Sequence, residues 1–279
     1  MKKIIFMMLI SLLLFGIGTA QAFWVGDVWN DTNGAFVPNI MGFDWSSSGS
    51  GNASGIGPVG TLPPPGTPFT FRYQASLVGL TDPVGGSVAF PGLNTDFEYT
   101  VIATIPEVVT ALIPIGGGLF NGIFTTLPGG TFALWHDTNA DSNVPAGTGF
   151  DNGDALAASG SINVGQISSF VFNSNNGTGI GSAILEGLVN FSNPLFLDPA
   201  LSIIDFRFEG TLNQPPLDSE TSGFFDNNVY ARYIVDFDHD QRFKVDGSSK
   251  FSVPEPSTLL LLGSGLLGLG AYARRRMKK

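Results

Sequence analysis

Residues 96–105 have the sequence DFEYTVIATI. Every second side chain in this stretch is apolar, beginning with Phe97 and Tyr99 and ending with Ile105, whereas the residues between them are mostly polar. A period of two residues is typical of a β-strand that has one face on the core and the other near solvent. The stretch therefore predicts a strand of an antiparallel sheet.

Segments of similar composition recur along the chain between clusters of Gly, Asn, Ser and Pro, and helical periodicity is hard to find between them. The further predicted strands are residues 69–75, 131–135, 159–164, 168–172, 183–191, 203–211 and 229–237. Their spacing predicts an all-β fold, a single antiparallel β-sandwich or jelly-roll-like domain. The Ser-, Gly- and Pro-rich residues 46–66 are expected to form a mobile loop.

The N-terminal residues are typical of a secretory signal peptide. Lys2 and Lys3 precede an apolar run over residues 4–17, and small residues follow, ending with Ala20 and Ala22. This pattern predicts export through the Sec translocon and cleavage after Ala22. The alternative, a retained anchor helix, is less favoured because the apolar run is short for a membrane span.

The region between the two chain ends is strongly acidic. Of the 13 Lys and Arg, seven lie in the terminal segments, and of the 23 Asp and Glu only Glu255 does, so residues 23–253 hold 22 acidic and six basic side chains and a net charge of −16. Such a domain is expected to repel nucleic acid, because binding phosphates requires clustered Lys and Arg. There is no cysteine, so stability is expected to come from the core rather than from disulfides.

The C-terminal residues form a three-part pattern. Pro254, Glu255 and Pro256 precede the apolar residues 258–273, which would form about 24 Å of helix, and basic residues follow. The basic group begins with Arg274, Arg275 and Arg276. Because positive charge stays on the cytoplasmic side, the acidic domain is expected outside the cytoplasmic membrane. The glycines of the span favour close approach of another membrane helix and transient membrane insertion; a permanent single-pass anchor is the alternative.

This order of motif, span and basic group resembles the PEP-CTERM sorting domain of Gram-negative bacteria that produce exopolysaccharide. The resemblance implies recognition of Pro254, Glu255 and Pro256 by the membrane protease exosortase, with Arg274–Arg276 as the topogenic stop. It also implies passage through the cytoplasmic membrane to the outer envelope, cell surface or extracellular matrix. The expected domains are a signal peptide at 1–22, an acidic all-β extracellular domain at 23–252 and the sorting signal at 253–279.

Three segments of the acidic domain are similar to flocculation-associated PEP-CTERM proteins: residues 135–141, 147–153 and 245–251. This similarity implies association with exopolysaccharide and a part in floc or biofilm formation.

Asp137, Asn139, Asp141 and Asn143 alternate along one segment. Oxygen ligands at positions 1, 3, 5 and 7 encircle Ca²⁺ in an EF-type loop, so the spacing indicates a calcium site. Ser142 stands where such a loop has Gly, and Thr148 stands where it has a bidentate Glu. Solvated turns that join two strands are the alternative explanation.

Catalytic residues are not indicated, and a non-enzymatic protein is expected. The two histidines, His136 and His239, have no cysteine or nucleophile elbow to accompany them. The alternative is a polysaccharide hydrolase that uses paired carboxylates, whose separation the sequence does not give. The four tryptophans, Trp24, Trp29, Trp45 and Trp135, either stack on sugar rings or pack in the core.

Overall fold

A computed structural model describes residues 21–30, 34–57, 63–144, 146–151, 153–212, 223–226, 231–234 and 240–254. These residues form strands and no helix, which confirms the predicted all-β, antiparallel class. The strands are β1 (Gln21–Phe23), β2 (Gly26–Asn30), β3 (Ala35–Ile40), β4 (Gly42–Trp45), β5 (Gly49–Ser54), β6 (Pro68–Thr81), β7 (Ser87–Val88), β8 (Glu98–Gly116), β9 (Leu119–Thr126), β10 (Thr131–Asp137), β11 (Ala155–Ile162), β12 (Ile167–Asn173), β13 (Thr178–Ser192), β14 (Leu197–Asp198), β15 (Ile203–Leu212), β16 (Gly223–Asp226), β17 (Ala231–Ile234) and β18 (Gln241–Pro254).

The chain divides into two compact units, and the larger one comprises Trp24–Phe251. Its main sheet closes on itself. β6 pairs with β8, whose two halves pair with β10 and β9, and these pair in turn with β11 and β12. Both of those strands pair with β13, which continues through β15 to β18, and β18 returns to β6 through β4 and β5. The finer description as a sandwich or jelly roll stays a prediction.

Two small sheets accompany the main one. β14, β2 and β3 form a three-stranded sheet, and β16 and β17 form a two-stranded one. The smaller unit of the chain comprises Met1–Phe23 and Ser252–Lys279. Within it, β1 pairs with the end of β18, and Ala22 lies opposite Val253. Among the residues that the structure describes, no helix has the length and apolarity needed to cross a bilayer.

Aromatic side chains fill the interior of the larger unit. Phe43 contacts Trp45, Tyr99 and Phe251 at ring-centroid distances of 5.5, 6.0 and 4.8 Å. All four rings are fully buried. Burying large apolar rings provides much of the stability of a chain that lacks disulfides.

The predicted mobile loop at residues 46–66 is wrong in its central part. Gly49–Ser54 form β5, which pairs with β6 and β18 and is almost wholly buried. A Cβ at Gly51 would lie 2.6 Å from a methyl group of Val245. The small residues that suggest a loop therefore serve close packing between strands.

Candidate functional site

An acidic cluster, formed by Glu98, Asp137 and Asp141, lies where β8 begins and β10 ends. The antiparallel register places Asp137 directly opposite Glu98, and Asp141 follows in the loop after β10. Carboxylate oxygens of the three residues lie within 4.8 Å of one another. Glu98 and Asp137 are buried and Asp141 is exposed, so the acidic cluster reaches from the sheet to the surface.

Glu98 is tied to the loop after β10 by hydrogen bonds. Its Oε1 accepts bonds from the backbone N–H groups of Asp141, at 3.1 Å, and Ser142, at 2.9 Å. Its Oε2 accepts a 2.5 Å bond from the Ser142 hydroxyl. Burial raises the pKa of Glu98, whereas these hydrogen bonds oppose the rise because they stabilise the charged form. The Glu98 carboxyl therefore organises the loop.

Asp137 and Asp154 hold the beginning of the same loop. Asp137 Oδ1 accepts a 2.8 Å bond from the Asn139 N–H, and burial together with the neighbouring carboxylates raises the Asp137 pKa. Asp154 Oδ2 accepts hydrogen bonds from the Thr138 hydroxyl and N–H, which lower the Asp154 pKa. The Asp137 contact is an Asx-type bond that fixes a turn, whereas Asp154 ties the start of the loop to its end, sixteen residues later.

The four residues predicted to bind calcium are only partly brought together. Asp137 and Asp141 belong to the acidic cluster. The side-chain Oδ1 of Asn143 accepts a 3.0 Å bond from the Ala146 N–H, and Asn139 contacts Asp137 through its main chain. Calcium binding stays a prediction. Sequence reasoning missed Glu98, although a single carboxylate among the apolar and hydroxyl side chains of residues 97–105 is a visible signal.

A second feature is an interior cavity of about 90 Å³ within the closed sheet. Strands from every part of the closed sheet line it: β5, β6, β8, β9, β12, β13, β15 and β18. Six phenylalanines dominate the lining: Phe69, Phe71, Phe124, Phe170, Phe208 and Phe243. The cavity is partly open and overwhelmingly apolar.

Within the part of the chain that the structure describes, Glu107 of β8 is the one ionisable side chain that lines this interior cavity. It is 4% exposed, and its Oε1 accepts a 2.8 Å hydrogen bond from the Ser168 hydroxyl. Burial raises the pKa of Glu107 to about 7, although the bond from Ser168 acts in the opposite direction. A carboxyl group in apolar surroundings that titrates near neutral pH is typical of a functional site, though structural groups also show it.

The four tryptophans differ in position. Trp24 and Trp45 are buried in the core, where their indole N–H groups donate to the Pro199 carbonyl at 2.7 Å and to the Ser249 hydroxyl at 2.5 Å. The interpretation as sugar-stacking residues is therefore wrong for these two, because their faces are covered. Trp135 packs against a small cluster that includes Phe150.

Trp29 lies on the outer face of the β2–β3 hairpin. It is half-buried and sits directly opposite Phe36, which is 47% exposed. Their rings stack at a centroid distance of 4.5 Å with an interplanar angle of 23°. Together they form an aromatic pair at the surface, with Asp27 two residues away on the same strand face.

The terminal signals lie almost entirely outside the described residues. Pro254 is the last residue of β18, whereas Glu255, Pro256, Arg274, Arg275, Arg276 and Ala20 fall beyond the described ranges, as does the expected helix at 258–273. Searches of curated proteins and of solved structures find no match for this chain. The model of the PEP-CTERM protein-sorting motif matches residues 252–276, which confirms the resemblance seen in the sequence. The chain therefore carries a PEP-CTERM sorting motif at its C-terminus, and this motif implies an exported protein that exosortase sorts to the cell surface.

Proposed function

We propose that the protein is a non-enzymatic component of the cell surface or extracellular matrix that binds exopolysaccharide and promotes cell aggregation. The sorting motif at residues 252–276 is the observation that carries this proposal, because it directs the acidic β domain to the compartment where exopolysaccharide is found. The proposed route runs through the Sec translocon and a transient stay in the cytoplasmic membrane of a Gram-negative cell.

The surface pair Trp29–Phe36 supports polysaccharide binding. The apolar faces of sugar rings pack on exposed aromatic side chains, and nearby carboxylates accept hydrogen bonds from sugar hydroxyls. Asp27 on the same face, with Asp198 opposite it in the small sheet, supplies such carboxylates. Binding through neutral or hydroxyl-rich sugar faces also suits a domain whose net negative charge disfavours polyanions.

Two variants test the proposal. Trp29→Ala with Phe36→Ala is expected to reduce retention of the protein by cell-derived exopolysaccharide and to reduce cell aggregation. Phe191→Ala is the matched control, because Phe191 is a similarly exposed aromatic residue (45%) on β13, far from this pair in the chain. Equal retention of all three proteins would refute the aromatic site, and normal aggregation after deletion of the gene would refute the aggregation role.

Sorting is tested separately. Replacing Pro254, Glu255 and Pro256 by alanines is expected to leave the protein in the membrane fraction and to prevent its arrival at the cell surface, whereas a variant altered only at Trp29 is expected to arrive normally. This comparison separates failure of delivery from failure of binding.

The alternative function is hydrolysis of polysaccharide by paired carboxylates, and the acidic cluster is the observation that favours it. Retaining glycosidases place two carboxyl groups about 5 Å apart, with the pKa of one of them raised. Glu98 and Asp137 approximate that geometry, but both oxygens of Glu98 already accept bonds from the loop. Release of reducing ends from exopolysaccharide that is lost in Asp137→Asn would establish the alternative.

A further inference from the structure

The interior cavity has an unusual chemical composition for a packed β interior. Its described walls are six phenylalanine rings, three aliphatic side chains, small residues and Gln241, and into this mainly apolar space the chain places the carboxyl group of Glu107. Among the described residues, the lining contains no Lys, Arg or His. A carboxylate in such surroundings loses hydration without gaining an ionic partner.

The hydrogen bonds of Glu107 leave one of its oxygens available. Within the described part of the chain, only the Ser168 hydroxyl donates to this carboxyl, and it does so to Oε1. Oε2 can therefore accept a bond from a molecule in the cavity. Because the described lining residues offer a negative charge and no positive one, they would repel a ligand that carries a carboxylate or phosphate.

The phenylalanine rings, like Glu107, favour a ligand with a positive charge. Phe170 meets Phe243 edge to face at 5.3 Å, and Phe71 meets Phe208 and Phe243 at 6.2 and 6.0 Å, so the rings surround the space on several sides. Aromatic faces attract cations, most strongly where water is excluded. An ammonium group there gains from the rings and from the carboxylate, and its alkyl chain gains from apolar contact.

We propose that the interior cavity binds a small primary alkylamine in its ammonium form, with Glu107 Oε2 as hydrogen-bond acceptor and the phenylalanine rings around the alkyl chain. The volume limits the enclosed part of the ligand. A cavity of about 150 Å³ accommodates benzene, so a cavity of about 90 Å³ takes on the order of four carbon atoms. Because the cavity is partly open, a longer amine would extend out of it.

Three probes with four carbon atoms each test the proposal: n-butylammonium, n-butanol and butyrate. The full-length chain is used in lipid nanodiscs rather than detergent, because detergent alkyl chains compete for the cavity. Binding is followed by NMR of the methyl groups of Leu185 and Val245, which line the cavity. At pH 8 we expect butylammonium to bind about tenfold more tightly than butanol, since a charged hydrogen bond exceeds a neutral one by about that factor. Butyrate is expected not to bind measurably.

Glu107→Gln keeps the shape of the side chain and removes its charge. It is expected to weaken butylammonium binding about tenfold and to leave butanol binding within about twofold to threefold. Glu209→Gln is the matched control, because Glu209 is an exposed carboxylate that pairs with Arg207 and does not line this cavity. It is expected to bind all three probes as the unaltered protein does.

A measurement on the unaltered protein covers the case in which Glu107→Gln does not fold. Glu107 is the one titratable group among the described residues of the cavity lining, and burial raises its pKa to about 7. The protonated carboxyl, like Gln, is expected to bind the amine about tenfold more weakly than the carboxylate. Affinity for butylammonium should therefore fall about sevenfold between pH 8 and pH 5.5, whereas affinity for butanol stays nearly constant. Absence of butylammonium binding, equal binding of amine and alcohol at pH 8, or an amine affinity independent of pH would each overturn the proposal.

Discussion

Replacing Glu107 by Gln should stabilise the protein at alkaline pH. Glu107 lies on β8 opposite Phe69 of β6 and Thr126 of β9, at 4% exposure, and burial raises its pKa from 4.5 to about 7. Each pKa unit corresponds to about 1.4 kcal/mol, so ionised Glu107 costs the folded state about 3 kcal/mol at pH 8. Gln retains an oxygen that accepts the bond from Ser168 and carries no charge.

The sign follows from proton linkage. Below pH 4.5 the carboxyl is protonated in both the folded and the unfolded state, and the charge costs nothing. As the pH rises from 4.5 to 7 the unfolded state ionises first, so the free energy of unfolding falls, and above pH 7 the full cost remains. The advantage of the Gln variant should therefore be near zero at pH 4 and about 3 kcal/mol at pH 8.

Urea denaturation followed by tryptophan fluorescence at pH 4, 6 and 8 measures this difference. In a domain of this size about 3 kcal/mol corresponds to a rise in Tm of about 6–12 °C. Glu209→Gln is the control and should change stability by less than about 1 kcal/mol at every pH, because its ion pair with Arg207 is exposed. Equal stability of Glu107→Gln and the unaltered protein at pH 8 would refute the assignment of a buried, strained carboxylate.

Three further predictions concern other parts of the molecule. Gly42→Ala should lower stability by about 2 kcal/mol or more in thermal unfolding, because the new Cβ would collide with the Ser249 carbonyl oxygen; Gly79→Ala, whose Cβ has ordinary contacts beginning at 3.6 Å, should cost clearly less. Glu98→Ala should lower the free energy of unfolding by about 1–3 kcal/mol and speed hydrogen exchange of the Asp141 and Ser142 amides, because these N–H groups lose their acceptor. Unchanged exchange of these amides would show that Glu98 does not hold the loop. Calcium should raise the Tm of the unaltered protein, and Asp137→Asn should remove most of that rise; a Tm that does not respond to calcium or to chelator would rule out the calcium interpretation.

In the strand at residues 96–105, the alternation of apolar and polar residues predicts the burial of one face and not that of the other. It correctly predicts that Phe97, Tyr99 and Ile105 face the core, where each is fully buried. It fails for the other face. Thr100 is buried as well, because the loop after β10 covers it and the Phe150 carbonyl accepts a bond from its hydroxyl. A period of two residues describes one strand, whereas burial of its second face depends on a segment some fifty residues later in the chain.

The sequence predicts only part of the acidic cluster, because it does not show which strands pair. Asp137 and Asp141 lie four residues apart, so their spacing is visible in the sequence. Glu98 joins them only because β8 and β10 pair in a register that places it opposite Asp137. Register depends on the hydrophobic patterns of both paired strands and on the connection between them, so neither segment alone shows that Glu98 lies opposite Asp137.

The interior cavity arises from a difference in side-chain size along the closed sheet. Large rings such as Trp45 and Tyr99 fill the space around Phe43. Around Glu107 the lining strands instead contribute small residues, among them Gly181 and Gly210, and the rings do not fill the space between them. A larger apolar residue that filled this space would stabilise the folded state, and so would a neutral residue in place of Glu107. The unfilled space and the ionised carboxyl of Glu107 each lower the stability of the folded state, and they lie at one place. A ligand with a positive charge and a short apolar chain would offset both losses together.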